Sequence, residues 1–299
     1  MPAFAHRYPL AALLALPALT AACVMDPGPP DEDPPPVVTS GTYHHFVQTG
    51  WDLPLTSAEA QTIGFDLDDD GRRDNQAGGV ISALSGIGLD LVGASATAFT
   101  GGELVILHSV RADGLIDDGA VSWRVLGGAP TEAPRFDGTD VLRPAREDGM
   151  LVGAIIDGRA ELKWGVAMLT VPFFPDQRPL PLPLAHARIR AELQPDGCSG
   201  SIGGVMLEAD IETTLTRLAQ EAIVHIERHP ENSFAQLAVD VFDANNDGRV
   251  SVEELAGSSL AQSLFDPDVD TDGDGDDDGL SFGLGFDCVP AQFTAPGEL

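Results

Sequence analysis

Hydrophobic and polar residues alternate through the middle of the chain in the manner of half-buried β-strands. In 185–193 the odd-numbered residues, from Ala185 to Leu193, are apolar, and they predict one buried face opposite an exposed, mostly charged face. Apolar runs at 104–110, 120–126, 150–156 and 160–166 predict further strands, and Asp157-Gly158 is typical of a two-residue hairpin. Pro179, Pro181 and Pro183 place the preceding stretch at a sheet edge or outside the sheet. We therefore predict an antiparallel β domain, interpreted as a sandwich.

Apolar residues recur with a helical period on either side of this region. Short helices are predicted at 57–65, 80–84 and 89–99. A longer helix is predicted by an apolar stripe that Pro230 ends, formed by Leu207, Ile211, Leu215, Leu218, Ala222 and Ile226. Further helices are predicted at 231–242 and 253–265. The predicted fold class is α+β, in which the β domain is followed by a helical module.

An acidic loop, 243–254, joins the last two predicted helices. Oxygen-bearing side chains alternate at its start, Gly248 permits a positive φ, and Glu254 can offer two carboxylate oxygens. The loop resembles the calcium loop of the EF-hand family at every informative position. That resemblance makes the helical region an EF-hand module that binds Ca²⁺. It implies these ligands: Asp243, Asn245, Asp247, Arg249 through its carbonyl, Ser251 through a water, and Glu254.

Two more segments share the pattern Asp-x-Asp-x-Asp-Gly-x-x-Asp, which resembles the calcium repeats of thrombospondin type 3 and dockerin-like modules. The C-terminal segment fits it in two overlapping registers, which begin at Asp268 and Asp270. Neither segment has a glutamate at position twelve, so we expect weaker sites or sites completed by distant groups. A solvated acidic surface is the alternative. The predicted secondary ligands are Asp66, Asp68, Asp70, Asp74, Asp268, Asp270, Asp272, Asp274, Asp276 and Asp278.

The formal net charge of −31, with Lys163 as the only lysine, narrows the range of partners. Such a surface repels nucleic-acid backbones and anionic lipids, and it attracts cations. Crowded carboxylates also need counterions to pack, so we expect calcium binding to be coupled to folding.

The N-terminal residues predict export. Residues 1–22 have the order of a signal peptide, with His6 and Arg7 before an apolar run at 10–19. Small residues before Cys23 resemble the lipobox of bacterial lipoproteins, although Thr20 stands where leucine is usual. This resemblance implies lipidation at Cys23, and Val24 after it favours the outer membrane. Ordinary cleavage at the same bond, which leaves a secreted protein, is the alternative. Prolines in 26–36 predict an extended tether.

Cys198 and Cys288 form an even pair in an oxidising compartment, so we predict a disulfide that clips the C-terminal tail to the body, with two buried free thiols as the alternative. Ser199 and Ser201, within a glycine-rich stretch, are assigned to a turn. The predicted organisation is signal peptide 1–22, lipidated cysteine and linker 23–40, short helices with an Asp-rich loop 41–102, β domain 103–205, EF-hand module 206–265 and Asp-rich tail 266–299.

These features predict a calcium-stabilised binding or structural module at the cell envelope, attached to the membrane only through its lipid. No catalytic residues are predicted, and the protein or glycan partner stays open. Two alternatives remain. An exported hydrolase with a structural calcium would assemble its carboxylates from distant strands. A calcium sensor would need an apolar groove to expose, which is disfavoured because methionine is sparse.

Overall fold

β-strands dominate the described part of the chain. The computed structural model describes residues 38, 40–86, 88–175 and 177–294, so the signal peptide, Cys23 and most of the linker lie outside the described residues. The strands are β1 Thr42–Asp52, β2 Ile106–Ala112, β3 Asp118–Gly128, β4 Val141–Leu142, β5 Pro144–Ile156, β6 Arg159–Val171, β7 Leu180–Gln194, β8 Gly197–Leu207, β9 Gly279–Pro290 and β10 Gln292–Phe293. The helices are α1 Ser57–Ile63, α2 Gln76–Gly86, α3 Leu91–Thr100, α4 Glu208–Arg228, α5 Ser233–Phe242, α6 Val252–Ala256 and α7 Ser259–Leu264.

Eight of these strands form a closed antiparallel barrel in the order β1-β2-β3-β5-β6-β7-β8-β9. The barrel closes because β1 pairs with β9, with Trp51 opposite Phe286. The predicted sandwich is therefore wrong. Alternating strands have one apolar face in either architecture, and closure depends on a pairing between the two ends of the described chain.

The barrel interior is filled by the inward side chains. Trp123, Leu151, Ile189, Ile202 and Phe286 are all almost completely buried there. In β7 the inward set changes parity at a register shift between Ala185 and Arg188, where His186 has a φ of 48°. Leu180, Leu182 and Leu184 face inward before the shift, and Ala187, Ile189 and Ala191 after it. Ala185, which the alternation predicted to be buried, is only half-buried.

The proline-containing start of β7 lies in the barrel wall. Pro181 and Pro183 pair with β6, whereas the ladder between β7 and β8 begins only at Ala185. This segment is therefore an edge on its β8 side, which is compatible with a residue that has no N–H.

The helices pack against the barrel and do not form a separate module after it. α2 packs on β9, and α4 packs on β7 and β8 through the buried residues Ile211, Leu215 and Ala222. The chain then returns to the barrel as β9, so the prediction of a β domain followed by a helical EF-hand module is wrong. The helix predicted at 253–265 is two helices, because Gly257 ends α6 and Ser258 caps α7.

The predicted cysteine pair is confirmed. Cys198 of β8 and Cys288 of β9 are direct partners in the ladder, with 5.0 Å between their Cα atoms, and form a disulfide. The bond joins two strands of the barrel. Ser199 and Ser201 lie in β8, so their assignment to a turn is wrong.

A buried polar network crosses the barrel interior. The Trp123 Nε1–H donates to His108 Nδ1 at 3.0 Å, and His108 Nε2 lies 3.1 Å from the Gln48 side-chain oxygen. Tryptophan can only donate, so Nδ1 is the acceptor and Nε2–H is the donor. The network holds the imidazole neutral.

Among the described residues no single helix has both the length and the apolar composition to cross a membrane. The bent pair α2 and α3 reaches that composition only when both helices are taken together, with an angle of 101° between them.

Candidate metal centre

Three acidic loops project from the barrel and its helices. We call residues 66–74 loop A, 243–254 loop B and 270–278 loop C. Loop A lies between α1 and α2, and loop C runs directly into β9. Loop B lies between α5 and α6, and α6 has only five residues where the sequence predicted a helix over 253–265.

The carboxylates of loop B turn inward onto the loop backbone. Asp243 accepts hydrogen bonds from the N–H groups of Asp247 and Gly248, at 3.1 and 2.8 Å. The side-chain oxygen of Asn245 accepts from Asp247 N–H at 2.8 Å, and Asp247 accepts from Arg249 N–H at 2.9 Å. The side chains of positions one, three and five therefore converge on the inside of one tight turn.

Glu254 closes loop B from the start of α6. One carboxylate oxygen accepts from Ser251 N–H at 2.9 Å, and the other from Asn245 N–H at 3.2 Å. The contact between Glu254 and Ser251 N–H is found in any capping box, such as the one that Thr56 and Glu59 form at α1. The reach back to Asn245, nine residues earlier, is not part of a capping box. The hydrogen bonds from Ser251 hold the pKa of the exposed Glu254 carboxyl below its usual value.

Loops A and C repeat the turn of loop B. The position-one carboxylate accepts from the glycine N–H at position six, between Asp66 and Gly71 at 3.1 Å and between Asp270 and Gly275 at 2.8 Å. In both loops the backbone N–H of position five also donates to the carboxylate of position three, and the backbone N–H of position seven donates to the carboxylate of position five. Positions four and six have positive φ in all three loops, at Asp69 and Gly71, Asn246 and Gly248, and Gly273 and Gly275. Loops A, B and C therefore share one backbone conformation, although they lie in separate segments of the chain.

Loops A and C also share an ending that loop B lacks. The position-nine carboxylate accepts from the position-two N–H, from Leu67 to Asp74 and from Thr271 to Asp278, both at 2.8 Å. The same aspartates donate their own N–H to the carbonyl of the residue before the loop. An aspartate at position nine thus replaces the distant glutamate as the closing carboxylate.

This geometry selects one of the two registers in the C-terminal segment. The turn begins at Asp270, and both oxygens of Asp268 instead accept hydrogen bonds from Ser281, from its N–H and its hydroxyl. Burial raises the pKa of Asp268, against the lowering effect of those hydrogen bonds.

Two acidic triplets have the spacing of a metal site. Single carboxylate oxygens lie within 4.8 Å of one another in Asp66, Asp68 and Asp74, and again in Asp270, Asp272 and Asp274. Within the described residues, the carboxylates of Asp243, Asp247 and Glu254 do not reach that mutual spacing. Asp70 and Asp276 belong to the same loops but not to the triplets. Loops A and C therefore hold compact metal-binding geometry, and loop B is more open.

Two aspartates of loop A lie in surroundings that disfavour an isolated negative charge. The pKa of Asp74 is raised from 3.8 to about 6, chiefly by burial and to a smaller extent by the carboxylates of Asp68, Asp268 and Asp70, against the lowering effect of the hydrogen bond from Leu67. One oxygen of Asp66 is buried and has no hydrogen-bond partner in the described part of the chain. A buried acceptor without a donor, among carboxylates that repel one another, fits a bound cation.

Loops A and C are attached to each other and to β9. Asn75 directly follows loop A, and its buried amide bonds to both the N–H and the carbonyl of Gly283. Ser281 accepts from Gln76 N–H at 2.7 Å while it donates to Asp268. Phe65, Leu67, Val205 and Val269 form a buried apolar cluster between the loops and β8. Both loops are therefore joined to β9, the strand that closes the barrel, by hydrogen bonds of residues at their ends.

Asn75 and Ser281 were not identified from the sequence. Asn75 carried a usable signal, since asparagine before a helix is a common cap and its oxygen here accepts from Gly78 N–H. Ser281 carried none, because its role depends on the pairing of β9. These loops can hold hard cations through oxygen ligands. No protein-family model, curated protein or solved structure matches this chain.

Proposed function

We propose that this protein binds calcium through loops A, B and C, and that the bound ions stabilise a lipid-anchored barrel module at the cell envelope, at the outer membrane. The observation that carries this proposal is the repetition of one inward-facing turn in three separate acidic loops. Chance surface acidity gives no reason for the same donors and acceptors to recur at the same positions.

Calcium suits these loops better than other common ions. The donors are carboxylate, amide and carbonyl oxygens, which favour hard cations over zinc or copper. Ca²⁺ accepts irregular shells of roughly six to eight oxygens, whereas Mg²⁺ requires near-octahedral geometry. Loop B has the complete set of ligand types, including a glutamate at position twelve, so we assign the tightest site to it. Its wider carboxylate spacing fits a loop that contracts when an ion binds.

The test is calcium titration calorimetry on the purified chain, in wild type and in the Glu254→Gln variant. Loss of the charged bidentate ligand should weaken the tightest site by at least about tenfold. Glu253→Gln is the matched control, because Glu253 is exposed at position eleven, which is not a ligand position. Asp68→Asn and Asp274→Asn should weaken the sites of loops A and C and leave the tightest one.

The outcomes separate clearly. Uptake by wild type and Glu253→Gln, with loss of the tightest site in Glu254→Gln, supports the proposal. Absence of any uptake at millimolar calcium refutes it. Thermal melts in calcium and in chelator then measure whether the ions stabilise the fold, since a ligand that binds only the folded state raises the melting temperature.

A further inference from the structure

A groove of about 890 Å³ crosses the outer face of the barrel over β5, β6 and β7, with loop A as one wall. Its small residues Gly119 and Ala154 allow close approach to the sheet. Five cations line it, in a chain with 16 arginines and lysines against 47 acids. They are Arg73, Arg159, Lys163, Arg188 and Arg190. The groove therefore gathers a large share of the positive charge of an acidic protein.

Some of these cations are already engaged within the protein. Arg188 donates to the carbonyl of Asp66 and forms an ion pair with Asp69 at 3.8 Å, so it fastens loop A to the barrel. Arg159 pairs with Glu192 at 3.6 Å across β6 and β7. Ion pairs between neighbouring strands are common on exposed sheet faces and need no ligand to explain them.

Arg73 and Arg190 are different, because both point to a single neutral acceptor. The Thr62 carbonyl accepts from Arg73 at 2.7 Å and from Arg190 at 3.3 Å. Within the described residues neither guanidinium forms an ion pair, although Glu161 is the partner of Arg190 in the ladder. Each guanidinium has five N–H donors, and among the described residues the hydrogen bond to the Thr62 carbonyl uses one donor of each, while both side chains line the groove.

The electrostatics at this point oppose those of the whole molecule. Burial lowers the pKa of Arg190, and the neighbouring positive charge of Arg73 lowers it further, against the smaller raising effect of Glu161. The Arg190 guanidinium also lies over the Phe65 ring, 5.1 Å from its centre, which fixes its orientation. Two like charges are therefore held together, with no carboxylate of the described residues paired to either, in a chain with a net charge of −31.

We propose that this groove binds a carboxylated polysaccharide, and that Arg73 and Arg190 together clamp one sugar carboxylate. A carboxylate placed between the two guanidiniums would accept charge-assisted hydrogen bonds from both and relieve their repulsion.

The rest of the lining favours a uronic-acid sugar over an acidic peptide or a nucleic acid. Asp157 and Glu161 also line the groove, so the ligand that fits best offers hydroxyl donors to them as well as a carboxylate to the arginines. A uronic-acid ring carries hydroxyl groups beside its single carboxylate. Those hydroxyls can donate hydrogen bonds to the groove carboxylates while the sugar carboxylate lies on the arginines.

The test is the affinity of the full chain for a short oligogalacturonate, measured both in calcium and in chelator. The Arg73→Gln/Arg190→Gln double variant should bind at least about tenfold more weakly in both conditions, since it loses two charge-assisted contacts. Arg124→Gln is the matched control, because Arg124 is a half-exposed arginine of β3 that pairs with Glu147 outside the groove. Its affinity should equal that of wild type, and circular dichroism confirms that each variant is folded.

Two comparison ligands make the result decisive. The methyl-esterified oligosaccharide should bind at least about tenfold more weakly, because it keeps the hydroxyls and loses the charge. Equal binding of an oligoglutamate of the same charge would overturn the choice of a sugar. Binding that needs calcium and survives the double variant would overturn the arginine clamp. Arg190 belongs to β7 and not to loop A, and the measurement in chelator tests the clamp without calcium, so failure of the clamp and failure of the calcium proposal are distinguishable.

Discussion

His108 shows, at the scale of a single residue, how the barrel fixes a protonation state. Its two nitrogens are occupied by Trp123 and Gln48, and its ring stacks on Phe286 with centres 4.9 Å apart. Complete burial lowers the pKa of His108 from 6.5 to about 3. A protonated ring would place a second N–H against the Trp123 donor, so the folded state takes up that proton only in strong acid.

This predicts an acid-dependent loss of stability. Between pH 6.5 and about 3 the unfolded chain binds the His108 proton and the folded chain does not. Stability therefore falls as pH decreases, by about 1.4 kcal/mol for each pH unit from this residue. His108→Gln keeps an acceptor and a donor but does not titrate. Urea unfolding in chelator between pH 4.5 and 7 should show wild type losing stability relative to the variant as pH falls, whereas parallel curves would contradict the assignment.

Individual residues were predictable from the sequence where their role is local. The alternate oxygens of loop B and its Gly248 lie in the turn that their spacing predicted. Arg73 and Arg190 were not predictable as a pair, because they are 117 positions apart and meet only where loop A lies against β7. Local chemistry is encoded in spacing, and clusters between distant segments depend on topology.

At the scale of elements, some glycines are required by their backbone conformation and others are not. Gly71 has a φ of 86° and open space where a Cβ atom would lie, so only its backbone conformation requires glycine. Gly79 lies inside α2, also with open space, in a helical conformation that any residue adopts.

Alanine should therefore change stability in opposite directions at these two positions. Gly71→Ala places a side chain in the left-handed region and should cost about 1 to 2 kcal/mol. Gly79→Ala improves helix propensity and should stabilise by up to about 1 kcal/mol. Thermal and urea unfolding in chelator measure both without calcium binding. The same sign of change for both variants would contradict the assigned backbone roles.

The elements that were predicted correctly have a local pattern, and those that were missed do not. The Asp157-Gly158 hairpin joins β5 and β6 as expected, with positive φ at both residues. β8 was mistaken for a turn because it is rich in glycine. Gly203 is needed there for close packing, since a side chain at that position would meet the Phe65 ring and the Phe282 carbonyl. A single sequence does not distinguish a glycine that turns the chain from one that admits a neighbour.

At the scale of the whole molecule, closure of the barrel was the feature that the sequence did not reveal. The alternation of apolar and polar residues shows which face of a strand is buried, but it is the same in a sandwich and in a barrel. The pairing of β1 with β9 is what makes this sheet a barrel. The disulfide lies beside this closure, since Cys288 of β9 pairs in the ladder with Gln48 of β1 and with Cys198 of β8.

Removal of the disulfide should lower stability substantially. The bond joins residues separated by 90 positions, so it restricts a long loop of the unfolded chain. Cys198→Ala/Cys288→Ala should lower the free energy of unfolding by about 2 to 5 kcal/mol. Urea unfolding of the variant, and of wild type with and without reductant, measures the loss. An unchanged midpoint after complete reduction would be inconsistent with this role.

Calcium removal should loosen one side of the barrel more than the other. Loops A and C are hydrogen-bonded to β9 through Asn75 and Ser281, whereas among the residues that the structure describes no such hydrogen bond joins either loop to β5 or β6. We expect hydrogen exchange in chelator to speed up in β9 and its partners before it does in the β5–β6 hairpin. Uniform loss of protection would indicate that the ions act on the fold as a whole.

The pairing of β1 with β9 has a consequence for how the chain comes to be folded at all. A polypeptide that emerges from one end first presents β1 early, and its partner β9 appears only after more than two hundred further residues. Until then the sheet has two unpaired edges, which are open to neighbouring chains. The chain is therefore exposed to wrong strand pairing until its last strand arrives, and the hydrogen bonds of Asn75 and Gln76 with that strand form at the same step.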